Sequence, residues 1–389
     1  VTAATTAAEP TFALIAGGGT AGHLLPGIAV ANELVRRGHP KASLHFVGAA
    51  RGVEASVVPE AGFDVTLLPG RGIQRRLTLE NLGSVLGLAR AAWRAIVLVG
   101  RRRPQVVLVL GGFASAACGL AAVLRRVPIV VVDQNARAGA VNRMLGRFAA
   151  ASAVPFAATD LPRAVLTGNP VRAQVLDAAS GLDRQAAIEE LGVPGGRRLV
   201  GVFAGSLGSR RINEATRAAA EGPWRHRGDL AVYHVVGARD WAELGEDAGG
   251  EATEVLDDGG PEGLWYRRVR YDEHIERLLV AADLVVCRAG GTTVAELAIT
   301  GTPAVLVPLP IATRDHQRAN ASELVKAGAA VLVPDDELDA GRLVEEVDGI
   351  LSDPARPVAM ADAARSLGRP DAAAAVADIV EEAATGRRR

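Results

Sequence analysis

Ile15-Ala16-Gly17-Gly18-Gly19-Thr20-Ala21-Gly22-His23 is the stretch that decides the fold. It follows the apolar run Thr11 to Ala16 and leads into the helix-like segment Leu24 to Arg37. A strand, a glycine turn and a helix in that order leave unpaired backbone N–H groups at a helix N-terminus, which suits phosphate. Glycines let the chain turn tightly and let a ligand approach the backbone. His23 adds what phosphate binding does not need, an imidazole that exchanges a proton near neutral pH. Gly17, Gly19 and Gly22 also spell the dinucleotide fingerprint G-x-G-x-x-G. That fingerprint wants an acid about 20 positions further on to hold a ribose. Here the next strand, Leu44 to Val47, runs into Gly48-Ala49-Ala50-Arg51 with no carboxylate before Glu54. A nicotinamide site is therefore weakened, although Arg51 leaves a 2′-phosphate open. The plainer alternative is a glycine turn that only packs a helix on a sheet.

Outward from this unit, short β-rich runs alternate with helical patterns along all 389 residues. Such alternation predicts parallel sheets flanked by helices. Strands are expected at Phe12–Ile15, Leu44–Val47, Val65–Leu68, Val106–Leu110, Ile129–Val132 and Ser152–Val154. A second set follows at Leu199–Ala204, Ala231–Val236, Val269–Arg270, Leu284–Val286, Ala304–Val307 and Ala330–Val333. Two sets of similar size, in a chain too long for one core, predict two Rossmann-like halves. The junction is placed at Thr167-Gly168-Asn169-Pro170-Val171-Arg172, where Gly, Asn and Pro in succession break helices. The expected organisation is a disordered leader over 1–10, a first domain over 11–168, a second over 169–355 and an Ala-rich helical segment over 356–389.

Composition excludes several classes. Hydrophobic content of 49% with 22% charged residues describes an ordinary soluble globular protein. A formal net charge of −1 and few aromatics argue against a nucleic-acid partner. There is no basic n-region and no run of about 18 apolar residues, so the expectation is a soluble or peripheral protein. Cys118 and Cys287 stand far apart in apolar contexts and make no metal spacing; two buried thiols in a reducing cytosol are expected.

Ligands on doubly wound sheets sit at the C-terminal ends of strands, and the polar motifs of this chain follow strands. After Leu110 comes Gly111-Gly112-Phe113-Ala114-Ser115, a second glycine turn opening a helix. After Val132 comes Asp133-Gln134-Asn135, read either as a helix cap or as a binding motif. In the second half Gly205-Ser206-Leu207-Gly208-Ser209 offers amides and the Ser206 hydroxyl to a diphosphate. Cys287-Arg288-Ala289-Gly290-Gly291-Thr292-Thr293-Val294-Ala295-Glu296 opens another helix, with Glu296 one turn inside, where it can hold a ribose or only face the helix dipole. Arg314-Asp315-His316-Gln317-Arg318-Ala319-Asn320 is dense enough in polar residues for substrate contact. His23 and His316 lack zinc-site spacing, so no metal is expected. Asp335-Asp336-Glu337 reads as a solvated helix cap.

A different signal lies between Arg71 and Arg103. Ile73, Leu79, Leu82 and Trp93 stand among Arg75, Arg76, Arg94 and other arginines, with Glu80 the one acid. Apolar side chains beside arginines bind an anionic membrane surface. The plainer reading is a solvated face over ordinary core residues. Gly83 and Gly87 weaken a helix here and predict that part of the stretch is a loop.

Together these residues resemble the MurG family of glycosyltransferases, which complete the lipid-linked peptidoglycan precursor. The anchors are Gly18-Gly19-Thr20-Ala21-Gly22-His23, Asp133-Gln134-Asn135, Gly168-Asn169-Pro170-Val171-Arg172, Gly205-Ser206-Leu207-Gly208, Arg288 to Glu296 and Asp315-His316-Gln317. Each is weak alone; six in order, from Phe12 to the terminal helix, are strong. The resemblance implies an α/β chain of the GT-B fold, two Rossmann-like parallel-sheet domains facing across a cleft, with the last helix crossing back to the first. It implies transfer of N-acetylglucosamine from UDP-GlcNAc to the 4-hydroxyl of the muramoyl sugar of lipid I, with inversion to a β-1,4 bond.

Carried over by residue, the resemblance makes His23 the candidate general base. Arg172 and Ser206 would meet the donor diphosphate, the backbone near Asp272 the uracil, and Gly291, Thr292, Thr293, Val294, Ala295 and Glu296 the nucleotide. Gln317, Asn135 and the turn Thr20, Ala21, Gly22 would meet the sugar. Gly18, Gly19, Gly111 and Gly112 would form the acceptor phosphate turns. Ile73, Arg75, Arg76, Leu79, Leu82, Trp93 and Arg94 would touch the anionic cytoplasmic face of the cell membrane. No cofactor is implied, and other cell-wall enzymes are possible partners. The family often has glycine at position 21, a longer acid in a His-Glu-Gln-Asn run where this chain reads Val132-Asp133-Gln134-Asn135, and Gln at position 207. The alternatives are another GT-B UDP-sugar enzyme, such as an epimerase or a transferase for small acceptors, and a non-catalytic nucleotide-sugar-binding scaffold. A dinucleotide oxidoreductase ranks last.

Overall fold

A computed structural model describes residues 11–18, 21–50, 52–69, 80–243, 253–257 and 262–386. The chain forms two compact units. One comprises the residues up to Arg172 together with those from Pro370 onward, and the other is Ala173–Arg369.

The first unit is built on a seven-stranded sheet: β1 Ala13–Ala16, β2 Leu44–Ala49, β3 Asp64–Leu68, β4 Val106–Val109, β5 Ile129–Val132, β6 Ala151–Val154 and β7 Ala164–Leu166. The order is β3-β2-β1-β4-β5-β6-β7 and every pairing is parallel. β1, β4 and β5 are wholly buried, as near-continuous apolar runs covered on both faces must be. Its helices are α1 Ala21–Arg36, α2 Glu54–Glu60, α3 Glu80–Arg102, α4 Gly112–Arg125 and α5 Ala140–Gly146. Chain order reverses between β1 and β4, so their C-terminal ends open the crevice where such sheets bind ligands.

In the second unit the strands are β8 Arg198–Phe203, β9 Leu230–Val235, β10 Thr253–Asp257, β11 Trp265–Val269, β12 Leu284–Cys287, β13 Ala304–Leu306 and β14 Ala330–Leu332. They run β10-β11-β9-β8-β12-β13-β14, parallel except for β10 against β11. The helices are α6 Ala173–Gly181, α7 Arg184–Glu190, α8 Arg210–Glu221, α9 Ala238–Glu243, α10 Ile275–Ala281, α11 Gly291–Thr300, α12 His316–Ala327, α13 Ala340–Leu351 and α14 Ala355–Leu367. Here the order reverses between β8 and β12.

The Ala-rich terminal segment is two helices. α14 belongs to the second unit; Gly368 caps it in extended geometry and Pro370 cannot continue it. α15, Ala372–Ala384, belongs to the first unit and joins the core of β1, β4 and α1 through Val376, Ala377, Ile379, Val380 and Ala383. Burying Val376, Ile379 and Val380 contributes about 1.5–3 kcal/mol each.

Two further readings are corrected. α3 runs unbroken through Gly83 and Gly87, because Ala91, Ala95 and Val99 lay one helical face into the core and outweigh a propensity cost of about 1 kcal/mol per glycine, so no loop falls at those glycines, whereas 71–79 of the same stretch lie outside the described residues. β7, β10 and most of β11 carry no strand pattern in the sequence. β7 is a short edge, β10 holds Glu254 and Asp257, and β11 sets Arg267 and Arg268 between apolar residues. Cys118 and Cys287 are both buried and unbridged. The leader over 1–10 lies outside the described residues.

Candidate active site

In the first unit, the turns after β1 and β4 interlock. Gly111 N–H donates to Ser115 Oγ at 3.0 Å, and Ser115 Oγ donates to the Ala16 carbonyl at 2.6 Å. Ser115 is buried, so one hydroxyl ties the end of β1 to the start of α4. Gly112 has φ +84° and packs so closely on the Gly18 carbonyl that any Cβ would collide with it. α1 begins at Ala21, so that position has helical backbone and needs no glycine. His23 stands in the first turn of α1, half-buried. Its ring lies on Gly111: a Cβ built there would be 3.3 Å from His23 Cδ2, 3.5 Å from Nε2 and 3.7 Å from Asn142 Nδ2. Gly22 is exposed beside it, whereas Gly19 and Thr20 lie outside the described residues.

The loop after β5 resolves the two readings of Asp133. Its carboxylate is buried; Oδ1 accepts from Asn135 N at 3.0 Å, and Oδ2 accepts from Gly139 N at 3.2 Å and Asn142 Nδ2 at 2.8 Å. The acid thus orders the loop from inside, while the N-cap of α5 is Gly139. Gln134 and Asn142 both donate to the Val132 carbonyl, at 3.0 and 3.4 Å. Asn135, half-buried, is the more exposed side chain of the Asp133–Asn135 motif. Sequence reasoning did not single out Asn142, which sits seven residues past Asn135 in an unremarked helix.

In the second unit, the loop after β8 carries Ser206 and Leu207 to the surface. The Ser206 carbonyl accepts from Ala238 N at 2.9 Å, and Gly208, at φ +84°, rests on the Val236 carbonyl. Ser209 caps α8, accepting from Ile212 N, and its hydroxyl also accepts from Arg288 Nη2 at 2.6 Å. Arg288 Nη1 reaches Asp335 Oδ1 at 2.6 Å and the Val307 and Pro308 carbonyls at 3.1 and 3.2 Å. One guanidinium therefore joins the loops after β8, β12, β13 and β14. The reading of Asp335-Asp336-Glu337 as a cap is corrected. Those residues form a 3₁₀ turn, Asp335 is the partner of Arg288, and the cap of α13 is Asp339, which accepts from Arg342 N at 2.8 Å.

Gly291 to Glu296 form the opening turns of α11 behind the N-cap Gly290. Glu296 is buried, and after burial itself its charge is the second cause that raises the Cys287 thiol pKa. Asp272 accepts from Tyr233 Oη at 3.1 Å and from His274 N at 2.8 Å, which fixes the loop after β11. Gln317 Oε1 accepts from Leu309 N at 2.9 Å, leaving its NH₂ to other partners. Arg314 and Asp315, at φ +57° and +53°, make two successive left-handed residues ahead of α12. Such residues cost about 1–2 kcal/mol each and gather at functional sites. Asn320 Nδ2 donates to the Ala289 carbonyl at 3.1 Å and locks α12 to the start of α11. Ser206, Asp272, Gly291–Glu296 and Gln317 thus all follow strands of the second sheet, while Arg172 is the last residue of the first unit.

Of the expected membrane-facing residues, Ile73, Arg75, Arg76 and Leu79, and the side chain of Leu82, lie outside the described residues. Trp93 is 65% exposed on α3, and Arg94 beside it is exposed as well. Among the described residues no helix is long and apolar enough to cross a membrane, and no group of three His, Cys, Asp or Glu is placed to hold a metal ion.

Residues 13–154 match the glycosyltransferase family 28 N-terminal domain and residues 199–381 the family 28 C-terminal domain. A UDP-N-acetylglucosamine–N-acetylmuramyl-(pentapeptide) pyrophosphoryl-undecaprenol N-acetylglucosamine transferase from Desulforudis audaxviator is 38% identical over 376 residues, 95% of this chain and 98% of the relative. A protein of the same name from an Anaeromyxobacter species is 40% identical over 375 residues, 95% of this chain and 92% of the relative. The crystal structure of Acinetobacter baumannii MurG superposes with a TM-score of 0.71 at 25% identity, covering 96% of this chain and all of that one (100%).

Proposed function

The chain belongs to glycosyltransferase family 28 and has the two Rossmann-like sheets of the GT-B fold, and from that premise we propose that it transfers N-acetylglucosamine from UDP-GlcNAc to lipid I. It is a UDP-GlcNAc-dependent glycosyltransferase, and its acceptor is the 4-hydroxyl of the muramoyl sugar on undecaprenyl diphosphate. The observation that carries the reading is a match over 95% of the chain to relatives named for this transfer.

His23 takes the proton of the acceptor hydroxyl. The hydroxyl oxygen then attacks the anomeric carbon, the bond from that carbon to the diphosphate breaks, and UDP departs from the opposite face with inversion. A base in this role supplies about 10²–10⁴-fold. The seat of the His23 ring on Gly111, at the end of β4, supports the assignment. Charge that builds on the leaving diphosphate is met by Arg172, Ser206 and the amides that open α8 and α11. Glu296 holds the ribose, the loop at Asp272 the uracil, and Gln317 and Asn135 the sugar, together with the turn Thr20 to Gly22. The glycine turns at Gly18–Gly19 and Gly111–Gly112 receive the acceptor diphosphate. Trp93 and Arg94, exposed together on α3, support contact of this unit with the anionic cytoplasmic face of the membrane, alongside Ile73, Arg75, Arg76, Leu79 and Leu82.

The test is transfer of radiolabelled N-acetylglucosamine from UDP-GlcNAc to a short-chain lipid I analogue, with UDP-glucose as control. Labelled disaccharide lipid from UDP-GlcNAc alone is the expected product. Binding of UDP-GlcNAc without transfer would replace the enzyme by a nucleotide-sugar scaffold, and a UDP-linked sugar of inverted configuration would point to an epimerase.

A further inference from the structure

We propose that Tyr233 is a positioning residue for the donor nucleotide: its hydroxyl holds Asp272, and through it the loop after β11, in the arrangement that receives the base. The claim about the base rests on the donor reading proposed above; the claim about the loop does not. Tyr233 stands in β9 and is 6% exposed. From Arg270 to His274 every residue of the loop is exposed except Asp272. That one side chain is held from two sides: Oδ2 accepts from Tyr233 Oη at 3.1 Å, and Oδ1 from His274 N at 2.8 Å. The first bond spans 39 positions of chain and ties an exposed loop to a buried strand. The tyrosine is itself pinned. Arg267, its partner in register on β11, sets its guanidinium 5.9 Å from the ring centroid and donates to the Leu191 carbonyl at 2.9 Å. Burial first, and then the Asp272 charge, push the Tyr233 phenol up, so it remains a donor.

A simpler account is that a buried phenol takes whatever acceptor is in reach, and that Asp272 only shapes the entry to α10. Shaping that entry needs one carboxylate oxygen, on His274 N, and leaves the tie to β9 unexplained. The backbone of the loop supplies a reason for it. Among the described residues, neither the N–H nor the carbonyl of Tyr271 pairs with another backbone group, and its side chain is 57% exposed. Just before it, Gly237 N donates to the Arg270 carbonyl at 3.0 Å, and there the pairing along β9 and β11 ends. Uracil presents an N–H between two carbonyls, whereas cytosine presents an unprotonated ring nitrogen beside an amino group. A peptide group fixed in place tells these edges apart, because the wrong edge leaves a partner unmatched; a loose one follows either. Tyr233 therefore acts on which base is accepted, away from the reacting atoms.

The experiment compares full-length wild type with Tyr233→Phe, Asp272→Ala and the double variant. Phenylalanine keeps the ring and removes the donor. Dissociation constants for UDP and CDP, KM and kcat for UDP-GlcNAc, the thermal midpoint and amide hydrogen exchange over residues 268–278 are measured. If losing the bond drops the competent arrangement of the loop to about a tenth, Tyr233→Phe weakens UDP about tenfold. CDP shares the ribose and diphosphate but not the matched edge, and should weaken less than about twofold, so the preference for UDP collapses. KM for UDP-GlcNAc should rise by the factor seen for UDP while kcat holds. Exchange over 270–276 should quicken while that of β12 and α11 stays as it was. Because Asp272→Ala already removes the bond, adding Tyr233→Phe to it should change UDP affinity no further. An unchanged UDP-to-CDP ratio with a lowered midpoint overturns the proposal, as the mark of a merely structural tyrosine, and so does wild-type exchange over the loop. A wild type that binds neither nucleotide sinks the donor reading and the base role with it, and the exchange comparison still decides whether Tyr233 holds the loop.

Discussion

Arg288 Nη1 lies 2.6 Å from Asp335 Oδ1, and the same guanidinium donates at 2.6 Å to the Ser209 hydroxyl that caps α8. Both side chains of the pair are largely buried, at 13% and 17% exposure. Arg288 follows β12, beside the reversal of chain order, and Asp335 follows the edge strand β14, so the pair sets the spacing of the loops that present Ser206, Gly291 and Gln317. Asp335→Asn leaves a neutral acceptor of the same shape and removes a charge-assisted bond of about 1.5–3 kcal/mol. If the loops answer for donor binding, the UDP-GlcNAc dissociation constant rises about tenfold, equivalent to about 1.4 kcal/mol. Calorimetric titration of the folded variant checks this, and an unchanged constant would show that the pair serves stability alone.

His23 and Glu296 should separate chemistry from binding. His23→Ala is expected to lower kcat by about 10²–10⁴-fold while UDP-GlcNAc affinity holds. Glu296→Ala is expected to do the reverse, weakening UDP-GlcNAc by about 1–3 kcal/mol, because a buried carboxylate that accepts from a ribose leaves its partners unmatched when removed. Steady-state and single-turnover kinetics on both variants make the comparison. Near-wild-type turnover in His23→Ala would sink the base assignment.

What the residues alone reveal of this fold, and what they hide, has a physical basis. Val106–Val109 and Leu284–Cys287 are apolar without interruption because both sheet faces are covered, and that pattern is plain in the residues. Glycine turns after β1, β4, β8 and β12 were equally visible, since turn chemistry is local. β11 was not, because Arg267 and Arg268 occupy a buried strand whose partners come from elsewhere in the fold; Arg267 Nη1 donates to the Leu191 carbonyl, 76 positions away. Asp133 could be read as cap or contact until Gly139 and Asn142 appeared around it. Asp335 was misread for the same reason: its partner Arg288 lies 47 positions back along the chain. In the sequence Glu54 is only an acid too late for a ribose, and its spacing carries no sign that Gly18 and Gly48 close over it.

Acid should destabilise the chain through its buried imidazoles. In β2, burial first and then the Arg102 charge push His45 down to about 4, and burial pushes His234 down to about 3. In the unfolded chain both titrate near about 6.5. Between those values the unfolded state holds protons that the folded state refuses, so stability is complete above about pH 6.5 and falls as pH drops toward 4. His45→Gln keeps a partner for Thr66, which lies 2.7 Å from His45 Nε2, and removes one such proton. Its stability should fall less steeply with acid than that of wild type, the difference approaching about 1.4 kcal/mol per pH unit. Urea unfolding at pH 7.5, 6 and 5 reads the slopes, and parallel slopes would mean that His45 protonates in place.

Arg37 closes the first unit around its last helix. Its Nη1 pairs with Asp378 at 2.6 Å and Glu381 at 2.8 Å, its Nη2 donates to the Ala374 carbonyl at 2.9 Å, and its Nε reaches Glu33 at 2.8 Å. His39 Nε2 meets Glu381 at 2.9 Å and stacks on Phe12. These groups cannot be what draws α15 in, since burying Val376, Ile379 and Val380 is the larger gain. They set where along α1 the helix stops, because three acceptors on successive turns of α15 converge on one guanidinium. Arg37→Met keeps the apolar stem and removes the charge, so α15 should stay docked while the unit loses about 1.5–3 kcal/mol. For a unit of this size each kcal/mol is worth about 2–4 °C in midpoint. Hydrogen exchange should then quicken along Ala372–Ala384 and leave α13 as it was. An unchanged midpoint with unchanged exchange would reduce the cluster to a solvent-screened surface pair; complete loss of protection in α15 would mean that the apolar face alone cannot hold it.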